Sequence, residues 1–392
     1  MAGCFPRRFF GTRAGVPAWP ALLLALTLAS PQVLAQPDGA RGRILIGMST
    51  PLSGPAARYG QGLLQGVQLG LARLNESGGV AGRPIELLVR DDAGEPDQAR
   101  AHTRALLDAG VVALTGYHGT RSIEASLALV EPAGVPMVGA ASSAESLREP
   151  PRRTLFHLRA GAAEELAAVA YQLDTQGMTR VGVIAQDDGL GRDGLERLRT
   201  ELARMALRPA ATALLAGRDG PGGLAAALQS VCAAEPQAVL LAIDASLALA
   251  LVRQAREAGC RPQFVAMSET GAGLQAGAAG GPRELAGLMV SQVLPHPAHV
   301  GHPLAAEYGR ALARQAGAEP SYPGLEGYLY ARVLGEALRQ CARRLTPACL
   351  IEVLENRAID LPGLRVQFAP QHRRGPRFVE LTLLDGQGRF RR

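Results

Sequence analysis

Short apolar runs of β character alternate with stretches of helical spacing along most of this chain. The first run spans 43–48. Helical spacing then covers 58–76 and stops at Ser77-Gly78-Gly79, a glycine-rich helix end. Strand 85–90 with helix 97–109, and strand 111–115 with helix 122–133, repeat the pair. Runs at 136–139 and 155–158 close the series. The alternation restarts with helix 162–175 and strand 180–185, then helix 190–205, strand 208–215 and helix 224–233. Strand 238–243, helix 246–258 and strand 263–266 complete it. The Gly/Ala-rich stretch 271–281 predicts a flexible connection. Beyond it lie a strand at 288–294, helices at 303–316, 322–344 and 347–357, and β-like runs at 363–368 and 378–384.

Strand–helix alternation at this spacing predicts an α/β fold of parallel sheets with helices on both faces. Two successive series of about a hundred residues each predict two doubly wound, Rossmann-like lobes. In open sheets of this kind ligands sit at the carboxyl ends of strands, beside helix N-termini. The residues found there differ between the two series. Thr115-Gly116-Tyr117-His118-Gly119-Thr120 and Gly139-Ala140-Ala141-Ser142-Ser143 bring hydroxyls and free backbone N–H groups. Gln186-Asp187-Asp188-Gly189, Asp244 and Ser268-Glu269-Thr270 bring carboxylates. A carboxylate ligand suits the first set and an ammonium the second, and the zwitterionic end of an amino acid needs both.

The N-terminus follows another pattern. Arg7, Arg8 and Arg13 precede an apolar run over 18–29 that is too short to span a bilayer. Small or apolar residues then stand at Val33-Leu34-Ala35-Gln36. This predicts a secretory signal over 1–35, cleaved after Ala35, and a periplasmic protein. An N-terminal anchor helix is the alternative. Arg7-Arg8-Phe9-Phe10 is a loose match to a twin-arginine export motif, and the ordinary secretory route is expected.

Composition narrows the function. Among 392 residues there is no lysine, which excludes a P-loop lysine and a Schiff-base lysine. Without the three arginines of the leader the net charge falls from +6 to about +3. With only 4% aromatic residues and no basic run with interleaved aromatics, a nucleic-acid partner is not expected. No G-x-S-x-G elbow or catalytic cysteine signature is present, so no enzyme is expected, and no cofactor either. His296, His299 and His302 read as solvated loop histidines or as a metal site without a completing ligand, and the first reading is taken. Cys341 and Cys349 are spaced for a local disulfide, with buried free thiols as the alternative; the remaining pair is Cys232 and Cys260.

The chain resembles the periplasmic solute-binding proteins of branched-chain amino acid ABC transporters, the type I periplasmic binding proteins of the leucine/isoleucine/valine-binding kind. The segments that carry the resemblance are Pro51-Leu52-Ser53-Gly54-Pro55 with Tyr59-Gly60, and Asn75-Glu76-Ser77-Gly78-Gly79-Val80 with Gly82. Asp91-Asp92, Gly134-Val135-Pro136 before Ser142-Ser143, and the run from Arg253 to Gly259 extend it in order over 43–392. The resemblance implies two lobes, 41–158 plus 294–365 and 161–290 plus 368–392. Three crossovers near 158–161, 291–294 and 366–368 would join them, with ligand trapped on closure. It implies that Thr120, Ala141, Ser142 and Ser143 hold a ligand carboxylate, that Glu269 holds the ammonium, and that Tyr59 edges the pocket.

Leu190 and Asp244 stand where well-studied members carry aromatic residues. Asp244 either adds a second carboxylate near Glu269 or caps the following helix. His118 and Tyr322 complete the candidate ligand-binding set. The implied function is capture of an amino acid, or a related small polar carboxylate or amide, for an ABC importer by a monomer that docks on a membrane permease. A periplasmic ligand sensor feeding a regulatory partner is the alternative.

Overall fold

The computed structural model describes residues 42–391 apart from 188, 206, 217–220 and 278–281. The predicted leader lies outside the described residues.

Strands β1 (Ile44–Thr50), β2 (Ile85–Asp91), β3 (Ala113–His118), β4 (Met137–Ala141) and β5 (Leu155–Phe156) form a parallel sheet in the order β2-β1-β3-β4-β5. Its strands are apolar because both faces are covered. Ile44, Ile46 and Met48 point to one face, where α1 (Ala57–Glu76) packs, and Leu45 points to the other. On that other face Leu106 of α2 (Pro96–Asp108) meets Ile123 and Leu127 of α3 (Thr120–Ala133).

The second sheet has seven strands. β6 (Val181–Gln186), β7 (Ala211–Leu215), β8 (Ala238–Ala242), β9 (Gln263–Ala266) and β10 (Met289–Gln292) run parallel. β13 (Glu380–Leu384) pairs antiparallel with β10, and β14 (Phe390–Arg391) with β13. The order is β14-β13-β10-β9-β8-β6-β7. Its connecting helices are α4 (Ala162–Thr175), α5 (Gly189–Arg204), α6 (Pro221–Cys232), α7 (Ala245–Glu257) and α8 (Ser268–Gly277).

The chain then returns to the first sheet through α9 (Pro303–Leu312), α10 (Tyr322–Gln340) and α11 (Pro347–Asn356). α10 lies against α1, β3 and β4. A hairpin of β11 (Ile359–Leu361) and β12 (Leu364–Val366) precedes the final passage to β13. Segments passing between the sheets run side by side: His157 N–H donates to the Arg373 carbonyl, and Gly375 N–H donates to that of His157, both at 2.9 Å.

Two expectations are corrected. Residues 271–277 of the stretch expected to be a flexible connection are helical, because α8 occupies 268–277, and 278–281 lie outside the described residues. Gly271 and Gly273 are required by close packing: a Cβ on Gly271 would lie 2.1 Å from Val290 Cγ1, and one on Gly273 2.6 Å from Ala245 Cβ. The C-terminal strands add an antiparallel edge to a sheet expected to be parallel, since β13 arrives from the opposite end and needs no crossover helix. Of the two alternatives left open for the cysteines, the disulfide holds for both pairs, Cys232–Cys260 and Cys341–Cys349.

Candidate functional site

The sequence motifs build a framework before they build a site. Asn75 fastens the end of α1 to the start of β2: its Nδ2 donates to the Ile85 carbonyl and its Oδ1 accepts from Ile85 N–H, both at 2.8 Å. Asp91 Oδ1 accepts from Leu52 N–H at 2.8 Å and Ala93 N–H at 2.9 Å. With a Ser53 hydrogen bond as the largest cause, these donors pull the Asp91 carboxyl down to about 2. Asp92 accepts from the Ser49 hydroxyl at 2.8 Å. The loop so held leads into α1, whose first turn bears Tyr59. Gly60 follows because any Cβ there would collide with the Pro51 carbonyl.

The predicted site residues converge at strand carboxyl ends. Thr120 opens α3 after β3, and its hydroxyl lies 2.8 Å from that of Ser142 in the loop after β4. Gly119 N–H donates to the Ala141 carbonyl at 3.2 Å. Gly139 admits β4 to this position; a Cβ there would lie 2.3 Å from the Tyr330 ring. The buried Arg148 donates to the carbonyls of Ser142 at 2.8 Å and Ala144 at 3.0 Å. Those carbonyls are thereby turned to the guanidinium. Burial brings Arg148 down to about 10, which leaves it charged at neutral pH.

From the second sheet, Glu269 stands in the first turn of α8. Its Oε1 accepts from Ser143 N–H and, at 2.7 Å, from the Ser143 hydroxyl. The two residues expected to hold opposite ends of a ligand are thus bonded to one another. A carboxylate is the natural acceptor for these two donors, and helix α8 favours it at its N-terminus. His118 lies at the end of β3 with its ring 4.3 Å from that of Tyr59, tilted by 38°. Burial lowers its pKa, with the Glu269 charge opposing that shift.

A buried network behind these residues escaped the sequence reading. Arg159 is 1% exposed and stands where the chain leaves the first sheet. Its Nη1 donates to the Tyr59 hydroxyl at 2.9 Å and to Glu326 Oε1 at 3.3 Å, and its Nη2 donates to the Ser268 hydroxyl. Glu326, on α10, also accepts from Tyr59 at 2.7 Å and Tyr330 at 2.5 Å. Glu165, on α4, lies 3.7 Å from Arg159. It accepts from Ser268 N–H and hydroxyl at 2.9 Å and from the Ser291 hydroxyl at 2.6 Å. Burial opposes the charge on Arg159, but Glu326, Tyr59, Glu269 and Glu165 outweigh it and raise its pKa well above the ordinary value. Burial raises Glu165 despite the pull of Arg159. The only local hint is an arginine ending an apolar run just before Glu164-Glu165. Nothing in linear order ties it to Glu326.

Other candidates fall elsewhere. Asp244 occupies the N-cap position of α7 but makes no side-chain capping bond; instead it is exposed and accepts from Gln186 Nε2 at 3.1 Å. Leu190 lies in the first turn of α5, and its side chain is outside the described residues. Tyr322 packs its ring edge-on against Phe390 at 5.4 Å and His296 at 5.8 Å. It meets the second sheet there. Among the described residues no group of three or more His, Cys, Asp or Glu is placed to hold a metal ion. No described helix is long and apolar enough to cross a membrane.

Comparison with known proteins bears on this arrangement. The family described as periplasmic binding protein matches residues 43–387. An amino acid binding protein of Pseudomonas aeruginosa is 25% identical over 270 residues, covering 68% of this chain and 71% of its own. A Leu/Ile/Val-binding protein of Rhizobium johnstonii is 34% identical over 94 residues, 24% of this chain and 26% of its own. Among solved structures, a substrate-binding periplasmic protein from Ralstonia solanacearum superimposes with a TM-score of 0.80 at 29% identity, covering 88% of this chain and 99% of that one. A possible leucine/isoleucine/valine-binding protein from Rhodopirellula baltica gives 0.81 at 25%, covering 91% and 97%.

Proposed function

The chain belongs to the periplasmic binding protein family, of the type I branched-chain amino acid kind, and from that premise we propose that it captures an amino acid, or a related small carboxylate or amide, between its two sheets. The observation that carries this reading is the Glu269 carboxylate meeting Ser143 where Thr120 and Ser142 also converge. An acceptor from one sheet and hydroxyl and N–H donors from the other lie within one hydrogen bond. The zwitterionic end of an amino acid presents the complementary pair. Its carboxylate takes the Ser143 donors, and its ammonium takes Glu269, whose oxygens have lone pairs to spare. The names of the amino-acid-binding relatives support the same class.

Lobes of 41–158 plus 294–365 and 161–290 plus 368–392 close over the ligand in this reading, and Tyr59 and His118 form its aromatic wall. The role is binding alone, for release to the permease of an ABC importer on the periplasmic side of the inner membrane. Closure removes the ligand from water, which strengthens each charged hydrogen bond.

The test is a dye-based thermal shift with amino acids, amides and small organic acids, on protein unfolded and refolded to remove carried-over ligand. A ligand at a hundred times its Kd stabilises the native state by about 2.7 kcal/mol. At least one amino acid is expected to raise the Tm, and Glu269→Gln to abolish that rise while the unliganded Tm stays close to wild type. No response to any amino acid, or an undiminished one in Glu269→Gln, would sink the reading.

A further inference from the structure

Away from the cleft, α1 and α10 cross on small residues. A Cβ on Gly66 would lie 1.9 Å from the Gly324 carbonyl, and one on Gly70 2.5 Å from Ala331 Cβ. Past this crossing the helices leave a cavity of about 340 Å³, lined by Arg73 and Glu76 of α1, by Ser77 just after it, and by Arg332, Gly335 and Arg339 of α10. Three arginines therefore line one groove.

Their counter-charges are shared or turned elsewhere. The buried Glu307 of α9 serves two of them, with Arg73 Nε at 3.3 Å and Arg332 in contact, and also accepts from the Tyr328 hydroxyl at 2.8 Å. Glu76 is held by Arg314 at 2.9 Å. Arg339 donates to the Ser77 hydroxyl at 3.0 Å and reaches Glu336 only at 3.7 Å. The helix ends do not make up the deficit. The last-turn carbonyls of α1 already accept from Ser77, Gly78 and Gly79 N–H, and those of α10 from Cys341 and Ala342 N–H. Burial, then Arg73 and Arg339, lowers the Arg332 pKa, with Glu336 opposing the shift.

We propose that this groove is a second binding site, for a small phosphate-class oxyanion, separate from the cleft. Arginine forks at its walls match the paired oxygens of such an anion, and the cavity holds one small molecule. Its place in the fold sets it apart. α1 starts beside the cleft and runs away from it, so Arg73 lies about 24 Å along the helix from Ala57. An occupant therefore does not compete with cleft ligand.

The probe is inorganic phosphate, added to the exported chain at an ionic strength held constant with sodium chloride. The readouts are thermal shift and calorimetric titration. Saturable stabilisation is expected, weakened at least tenfold in the double variant Arg73→Gln/Arg339→Gln, whose guanidinium groups are about half exposed. Arg100→Gln/Arg104→Gln removes the same charge from α2 and should keep the phosphate response. Two results would overturn the site: no saturable response to phosphate, and a response that both double variants keep or lose equally.

Discussion

Arg159 Nη1 lies 3.3 Å from Glu326 Oε1, while the same guanidinium lies 3.7 Å from Glu165. The first carboxylate belongs to a helix on the first sheet and the second to a helix on the other. One cation buried at a crossing between sheets is thus shared by both. Its removal leaves two buried carboxylates without their counter-ion. Arg159→Met is expected to destabilise the protein by about 3–5 kcal/mol in urea unfolding. Adding Glu326→Gln should recover part of that loss, because one uncompensated charge disappears with it. A single variant as stable as wild type would show that the network contributes nothing to folding.

The Ser143 donors offer a sharper view of the ligand than stability does. Once an amino acid is found to bind, its methyl ester should bind at least tenfold more weakly, a difference of about 1.4 kcal/mol. Ser143→Ala should reduce this discrimination in isothermal titration. Equal affinity for acid and ester would remove the carboxylate from the binding scheme.

The two disulfides close chain segments of different length, 28 and 8 residues apart in sequence. If they act chiefly by restricting the unfolded chain, the longer closure matters more, by about 1 kcal/mol. Cys232→Ala/Cys260→Ala is therefore expected to lower the urea midpoint further than Cys341→Ala/Cys349→Ala. The reverse order would point to contacts in the folded state as the main source of stabilisation.

His157 sets an acid limit. Burial, then Arg148, drives its pKa well below the ordinary 6.5, and its Nε2 lies 3.1 Å from the Leu147 carbonyl. With the folded pKa depressed, its contribution is intact above pH 6.5 and is lost as pH falls, because the unfolded chain takes up a proton that the native state resists. That costs up to about 1.4 kcal/mol per pH unit below the unfolded pKa. Unfolding free energies at pH 7 and pH 5 should therefore differ less in His157→Gln than in wild type. An unchanged difference would assign the acid sensitivity to other groups.

The apolar runs that became strands were legible because a sheet covered on both faces writes continuous hydrophobic sequence. Thr120, Ser142, Ser143 and Glu269 were legible because such sheets display their loops at one edge. Two features obey no local pattern. Gly271 and Gly273 of α8 serve packing rather than flexibility, and sequence composition alone does not separate the two. Arg159 looks like a surface residue until Glu326, 167 positions away, is brought beside it. Asp244 has the residue type and position of a helix cap, yet the side chain of Gln186 takes its carboxylate instead. Competition between two polar partners is decided in three dimensions.

The last two strands bear on how the molecule is made. β13 pairs with β10 and β14 with β13, so the edge of the second sheet is finished by residues 380–391. A growing chain cannot complete that sheet until residues 380–391 are available. Until then β10 presents an unpaired edge to any neighbouring strand. Loss of residues 380–391 would therefore strip the sheet of its edge. It would convert an interior strand into a border, and the damage would appear first as self-association.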